Sequence, residues 1–164
     1  MTPAGSAGSR ASEDDDRWVA FVRADHRTGT VAALAGVFST RGVNFDSLAT
    51  GDVTREEALV IVTFCASERR QRVLVRSVAR LASVRSVLVR RAEDLGVRAA
   101  AVVHLPMGVE FRPPKHAAVS WSGQSVLGQP VLVEGPLVDV ESVVKAARAA
   151  GARTEALVIE PPYV

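Results

Sequence analysis

The order of the first structural elements is decided by residues 25–48, which read DHRTGTVAALAGVFSTRGVNFDSL. The polar start of this stretch predicts a turn, and the apolar residues that follow recur at the spacing of an amphipathic helix: Val31, Leu34, Ala35 and Phe38. Thr30 is placed to cap this helix, and Gly42 is placed to end it near Arg41. The stretch therefore predicts a turn, a helix and the start of another strand.

The flanking sequence completes a βαββαβ order. Apolar, β-prone runs predict strands at residues 18–24, 43–49, 58–66 and 84–89. A polar connection at 50–57 joins the second strand to the third. Ser67 is placed to cap a second helix, whose apolar side carries Leu74, Val78 and Leu81. Residues 17–94 are thus predicted to form a ferredoxin-like domain of the α+β class, with two helices on one face of a four-stranded antiparallel sheet.

Residues 97–164 predict a second, degenerate ferredoxin-like α+β module. Its expected strands are 98–105, 117–121, 130–134 and 156–159. Asp139 is placed to cap a helix that ends before Gly151 and carries one apolar stripe: Val140, Val143, Val144 and Ala147. Residues 106–114 are too rich in proline to form a helix, so the first helix of this module is expected to be missing or replaced.

Composition restricts the class of protein. The small and acidic residues 1–16 predict a disordered tail. The single cysteine, Cys65, cannot form an internal disulfide, and its apolar neighbours indicate a buried thiol in a reducing cytoplasm. No run approaches the roughly 18 apolar residues that span a membrane, so no membrane partner is expected. A net charge of +2, from 20 basic and 18 acidic side chains, does not require a nucleic acid.

Catalytic and metal-binding patterns are missing from the sequence, which predicts a non-enzymatic protein without a cofactor. The histidines His26, His104 and His116 do not have metal-ligand spacing, and no nucleophile motif surrounds Cys65. Gly29 lets a ligand approach the start of the first helix, where N–H groups favour an anion such as the carboxylate of a free amino acid. A glycine that only makes the turn is an equally good interpretation.

A family resemblance is carried by Gly29 and by residues 38–48, Phe-Ser-Thr-Arg-Gly-Val-Asn-Phe-Asp-Ser-Leu. This run resembles the Phe-Ser-x-Arg-Gly-x-Asn-Ile-x-Ser-Leu type run in the ACT domain of acetolactate synthase (acetohydroxyacid synthase) small subunits. Residues 81–87 resemble the family's Leu-x-x-Val-x-x-Val, and residues 131–135 are similar to part of its second module. The resemblance implies a regulatory subunit that binds a branched-chain amino acid, usually valine, at the interface of an ACT homodimer. It also implies a thiamine-diphosphate-dependent catalytic subunit as the partner.

The resemblance also assigns expected ligand contacts. By position, Gly29, Thr30 and Val31 supply backbone N–H groups to the ligand carboxylate, and Asn44 supplies its side-chain amide from across or beside the interface. His26 stands where the family has a ligand-contacting asparagine. The helix that the family has within residues 106–123 is missing here.

Two other functions stay open. A free-standing ACT sensor that serves another partner is favoured by His26 and by the altered second half. A nucleic-acid-binding ferredoxin-like module is suggested by the arginines at 69, 70, 72, 76 and 80. The aromatic pair that would stack bases on the strands is missing, which counts against this last function.

Overall fold

The computed structural model describes residues 15–162, which divide into two compact units between Arg91 and Ala92. Each unit is an antiparallel four-stranded sheet with helical cover, which confirms the predicted α+β, ferredoxin-like class. Most of the predicted tail lies outside the described residues, and its last residue, Asp16, is the first residue of a strand.

The first unit has the order βαββαβ. Its elements are β1 (Asp16–Asp25), α1 (Thr30–Thr40), β2 (Phe45–Val53), β3 (Glu57–Ala66), α2 (Glu68–Ala79) and β4 (Val84–Arg91). The strands lie in the order β2-β3-β1-β4, so β1 and β3 are central and β2 is an edge strand. The register of β1 and β3 runs from Asp16 opposite Ala66 to Asp25 opposite Glu57.

The core of the first unit lies between the sheet and the two helices. Alternate residues of β1 and β3 belong to it, together with Leu34 and Phe38 of α1 and Leu74 and Val78 of α2. The ring of Phe38 meets that of Phe64 edge to face, with centroids 5.3 Å apart. The residues that alternate with these strand positions are buried as well: Val19, Phe21, Leu59 and Ile61.

Three local predictions in this unit have different outcomes. Ser67 caps α2 as predicted, because its side chain accepts a hydrogen bond from the N–H of Arg70. Thr30 does not cap α1; Gly29 occupies the cap position, and the Thr30 hydroxyl instead donates to the carbonyl of Asp25 at 3.0 Å. The strand expected at residues 43–49 is displaced to Phe45–Val53, since the N–H of Val43 still bonds the helical carbonyl of Phe38.

The second unit repeats the sheet of the first without its first helix. Its elements are β5 (Arg98–His104), β6 (Ser120–Ser122), a 3-10 turn (Ser125–Leu127), β7 (Val131–Pro136), α3 (Leu137–Ala149) and β8 (Arg153–Glu160). The strand order β6-β7-β5-β8 matches that of the first sheet. The helix buries the predicted stripe: Val140, Val143, Val144 and Ala147. Asp139 is wrong as the cap, because Pro136 occupies that position and Asp139 lies in the first turn, where its charge still suits the helix dipole.

Residues 105–119 contain no helix, as predicted, and they pack through an aromatic contact instead. The ring of Phe111 lies 5.7 Å from that of Trp121, and the N–H of Phe111 donates to the buried Ser125 hydroxyl at 2.7 Å. Trp121 pairs with the buried Val133, and paired residues of neighbouring strands point to the same face of a sheet. The ring of Trp121 therefore projects from the side of the sheet that α3 covers. These two contacts attach the loop to β6 and to the 3-10 turn.

Candidate ligand-binding cleft

The turn between β1 and α1 is held by backbone hydrogen bonds on both sides. The N–H of Asp25 donates to Ser83 at 2.7 Å, and the N–H of His26 donates to Glu56 at 2.9 Å. Gly29 then takes a left-handed conformation, with φ of 91° and ψ of −15°. A Cβ built on Gly29 would meet no atom of the described residues within 4 Å, so this position favours glycine for its backbone angle and leaves open space beside it.

Two backbone donors in the first turn of α1, and the N–H of the cap residue Gly29, have no acceptor among residues 15–162. The N–H of Thr30 bonds Arg27 at 3.3 Å, and the N–H of Ala33 bonds Gly29 at 2.8 Å. Between them, the N–H groups of Val31 and Ala32 have no acceptor in the described part of the chain. Because the helix dipole adds positive potential at this end, these two donors favour an anion.

An open cleft of about 510 Å³ lies at this helix start. One side consists of the turn residues 25–30, and Thr50 of β2 also lines the cleft. The apolar lining comes from the helix start and the hairpin: Val31, Ala32, Val53, Ala58 and Val60. The side chains of Val31 and Val53 are 40% and 50% exposed, which is unusual for valine and leaves apolar surface for a guest. The cleft therefore combines uncommitted N–H donors at one end with an aliphatic wall.

The charged groups beside the cleft form one network. Arg85 donates from Nε to Asp25 Oδ1 at 2.9 Å and from Nη1 to Glu57 Oε2 at 3.2 Å. Arg23 reaches Glu57 Oε1 at 2.9 Å, and Arg27 lies 3.9 Å from Asp25 Oδ2. The hydrogen bond with Asp25 raises the pKa of the Arg85 guanidinium above its usual range. Three guanidinium groups thus face two carboxylates in this network, and the excess positive charge also favours an anion.

The side chain of His26 is oriented by the hairpin that forms the opposite wall. Its Nδ1 lies 2.9 Å from the carbonyl oxygen of Thr54. Since a carbonyl only accepts hydrogen bonds, Nδ1 carries the proton and donates it. Nε2 has no partner among residues 15–162 and is the ring nitrogen left for a ligand.

Four of the five candidate ligand residues line this cleft, and the fifth does not. His26, Gly29, Thr30 and Val31 lie together around it. Asn44 is exposed before the start of β2, six residues from Thr50, which places it on the order of 15–20 Å along the sheet from the cleft. Within one chain, Asn44 is therefore at the opposite end of β2.

Some lining residues were missed by the sequence reasoning. Ala32 carries no side-chain signal, because its contribution is a backbone N–H whose availability depends on the cap geometry. Val53 and Ala58 reach the cleft through the register of β2 and β3, in which they pair with each other. Sequence periodicity does not specify that register.

Cys65 lies outside the cleft and is half-buried rather than fully buried. Its thiol donates a long hydrogen bond of 3.8 Å to Asp46 Oδ2. Burial raises the pKa of the Cys65 thiol, and the charge of Asp46 raises it further. The thiol is thus less nucleophilic than a free cysteine.

Residues 15–162 contain neither a metal-ligand cluster nor a membrane-spanning helix. Between residues 15 and 162, no three His, Cys, Asp or Glu side chains lie together as a metal site would require. No helix in this range has both the length and the apolar character needed to cross a membrane.

Comparison with known proteins identifies the fold but not a family. No protein-family model matches the chain, and no curated protein matches it. Among solved structures, the chain is similar to the small subunit of acetolactate synthase from Thermotoga maritima, with a TM-score of 0.62 and 14% identity over 90% of this chain and 98% of that one. The ligand-free regulatory subunit of aspartate kinase from Thermus thermophilus has a TM-score of 0.47 and 14% identity over 84% of this chain and 94% of that one. The first of these similarities shows that the chain has the fold of the small subunit over most of its length.

Proposed function

We propose that the protein is a non-catalytic regulatory subunit of acetolactate synthase, which binds a branched-chain amino acid and controls a thiamine-diphosphate-dependent catalytic subunit. The observation that carries this proposal is the pair of uncommitted N–H groups of Val31 and Ala32 at one end of an apolar-walled cleft. The small-subunit fold and the motif at residues 38–48 support it.

The cleft suggests how such a ligand is oriented. Its carboxylate accepts hydrogen bonds from Val31 and Ala32, where the helix dipole and the excess guanidinium charge both favour it. The aliphatic side chain packs against the wall that includes Val53, Ala58 and Val60. A branched aliphatic side chain suits this wall because contact removes apolar surface of both the ligand and the wall from water.

A second copy of the chain would complete the site. β2 is an edge strand whose outer side pairs with no other strand of residues 15–162, and Phe45 and Val53 at its two ends are 40% and 50% exposed. In a two-fold antiparallel pairing centred on Ala49, Phe45 of each chain lies beside Val53 of the other. The same pairing brings Asn44 of the partner subunit next to Thr54, at the edge of the cleft. We therefore propose a homodimer through the ACT domains, with Asn44 acting across the interface.

The alternative is a free-standing sensor of the same kind of ligand. It is favoured by the second unit, where a loop anchored by Phe111 and Trp121 replaces a helix, so that a surface available to a catalytic subunit has changed. The cytoplasmic location stays a prediction and rests on the single cysteine.

Reconstitution tests the proposal. The purified chain is mixed with the acetolactate synthase catalytic subunit of the same organism, and co-elution and the rate of acetolactate formation are measured with and without valine. We expect co-elution, a faster rate and inhibition by valine. Gly29→Asp places a carboxylate beside the ligand carboxylate, so this variant should still activate the enzyme but should no longer respond to valine.

Gly36→Asp is the matched control for this experiment. It adds the same side chain to an exposed position of the same helix, outside the cleft lining, so its response to valine should equal that of the wild type. A chain that binds valine but neither co-elutes with the catalytic subunit nor changes its rate would favour the free-standing sensor.

A further inference from the structure

We infer that His26 selects an α-amino acid in this cleft by accepting a hydrogen bond from the ligand's ammonium group, and that protonation of His26 releases the ligand. This inference rests on the proposed amino-acid binding and adds the group that recognises the ammonium. It also adds a dependence on pH that the fold alone does not imply.

The tautomer of His26 determines that its free ring nitrogen accepts hydrogen bonds. The Thr54 carbonyl holds the Nδ1 proton at 2.9 Å, so neutral His26 has its lone pair on Nε2. The backbone N–H of His26 is bonded to Glu56 at 2.9 Å, so the residue is tied to the hairpin at two points. His26 lines the cleft, and its free ring nitrogen, Nε2, is an acceptor rather than a donor.

The other polar groups around the cleft are already hydrogen-bonded or do not titrate. The carboxylate of Asp25 is bonded to Arg85, and the hydroxyl of Thr30 donates to the Asp25 carbonyl. Thr28 and Thr50 also line the cleft, but threonine hydroxyls do not change charge over this range. Nε2 of His26 is thus the acceptor that is both uncommitted and titratable.

Protonation reverses the role of this nitrogen. Histidine is the side-chain type whose charge ordinarily changes between about pH 5 and pH 8. Imidazolium keeps its bond to Thr54 but presents a second N–H and a positive charge at Nε2, which repels an ammonium and attracts a carboxylate. The charged groups next to this part of the cleft are those of the ion-pair network, Arg23 and Asp25 of β1, Arg27 of the turn, Glu57 of β3 and Arg85 of β4, together with Arg55 and Glu56, which follow Thr54 in the hairpin. Aspartate, glutamate and arginine side chains ordinarily keep one charge over this range, so His26 sets the response.

The test is calorimetric titration of the full chain with L-valine and, separately, with its 2-oxo acid, between about pH 8 and pH 5.5. Valine should bind more weakly as the pH falls, by at most about tenfold per pH unit because one proton is exchanged. The 2-oxo acid, which has no ammonium, should bind more tightly over the same range. His26→Asn should make the affinity for both ligands independent of pH, while His116→Asn, in the second unit, should behave like the wild type.

The outcomes separate this inference from the proposed function. If wild-type valine affinity changes by less than about twofold over the range, or if His26→Asn keeps the wild-type slope, the role of His26 is overturned while amino-acid binding stands. If neither ligand binds saturably at any pH, the proposed function fails and this inference fails with it.

Discussion

The conformation of Gly29 predicts that two alanine substitutions in the same region have opposite effects on stability. At Gly29, with φ of 91°, an L-residue in the left-handed region costs about 1–2 kcal/mol. The reduced entropy of the unfolded chain offsets about 0.4–1 kcal/mol of this, and the space around the new Cβ is open, so no clash adds to it. Gly29→Ala should therefore lower the free energy of unfolding by about 1 kcal/mol.

Gly36→Ala should have the opposite sign. Gly36 lies inside α1 with no atom within 4 Å of a built Cβ, so alanine should raise the free energy of unfolding by about 0.5–1 kcal/mol through helix propensity alone. The two variants should then differ by about 2 kcal/mol in the free energy of unfolding.

Urea unfolding measured by tryptophan fluorescence is the assay. The chain has two tryptophans, and Trp18 is buried in β1, so a Trp121→Phe background reports on the first unit alone. If Gly29→Ala is as stable as the wild type, or if both variants shift the unfolding midpoint in the same direction, Gly29 does not have the left-handed conformation described above.

Three further predictions concern the core, the thiol and the dimer. Leu34→Ala, at a fully buried position of α1, should cost about 3 kcal/mol in the same unfolding assay, and a loss below about 1 kcal/mol would contradict the packing of that helix. Cys65 should react with iodoacetamide more slowly than free cysteine, and Asp46→Asn should speed the reaction a few-fold by lowering the thiol pKa; an unchanged rate would exclude the Asp46 contact. Gly29→Asp and Asn44→Ala chains, each unable to bind valine alone, should recover about a quarter of the sites after refolding together, since heterodimers contain one intact site in two. No recovery would place Asn44 in the same chain as the cleft it serves.

The regular elements were predictable where one physical pattern dominated. The stripe that includes Leu34 and Phe38 predicts the buried side of α1, and both residues are buried there. Ser67 combines a capping side chain with a following amphipathic run, and it is the cap of α2. In these places local propensity and burial favour the same structure.

Local signals failed where a neighbour in space decided the outcome. Asp139 has a good capping side chain, but β7 runs directly into α3 and leaves the cap position to Pro136. β2 runs four residues beyond its predicted end because it pairs with β3 as far as Val53. The polar residues of this stretch had predicted a connection instead of a strand. Pairing partners outweigh composition in such edge strands.

The candidate cleft was partly predictable for the same reason. The glycine and the helix start are contiguous in sequence, so residues 25–31 could be assigned to one candidate site, and they all line the cleft. The apolar wall and the contact between His26 and Thr54 depend on a hairpin that folds back from 28 residues away. No pattern within either segment indicates that contact.

Calorimetric titration with valine, leucine and isoleucine at about pH 8 shows whether the start of α1 binds the carboxylate of a branched-chain amino acid. The wild type and Gly36→Asp should bind at least one of them saturably, and Gly29→Asp should lose that binding. Unchanged affinity in Gly29→Asp, or no saturable binding of any of the three by the wild type, would exclude this site.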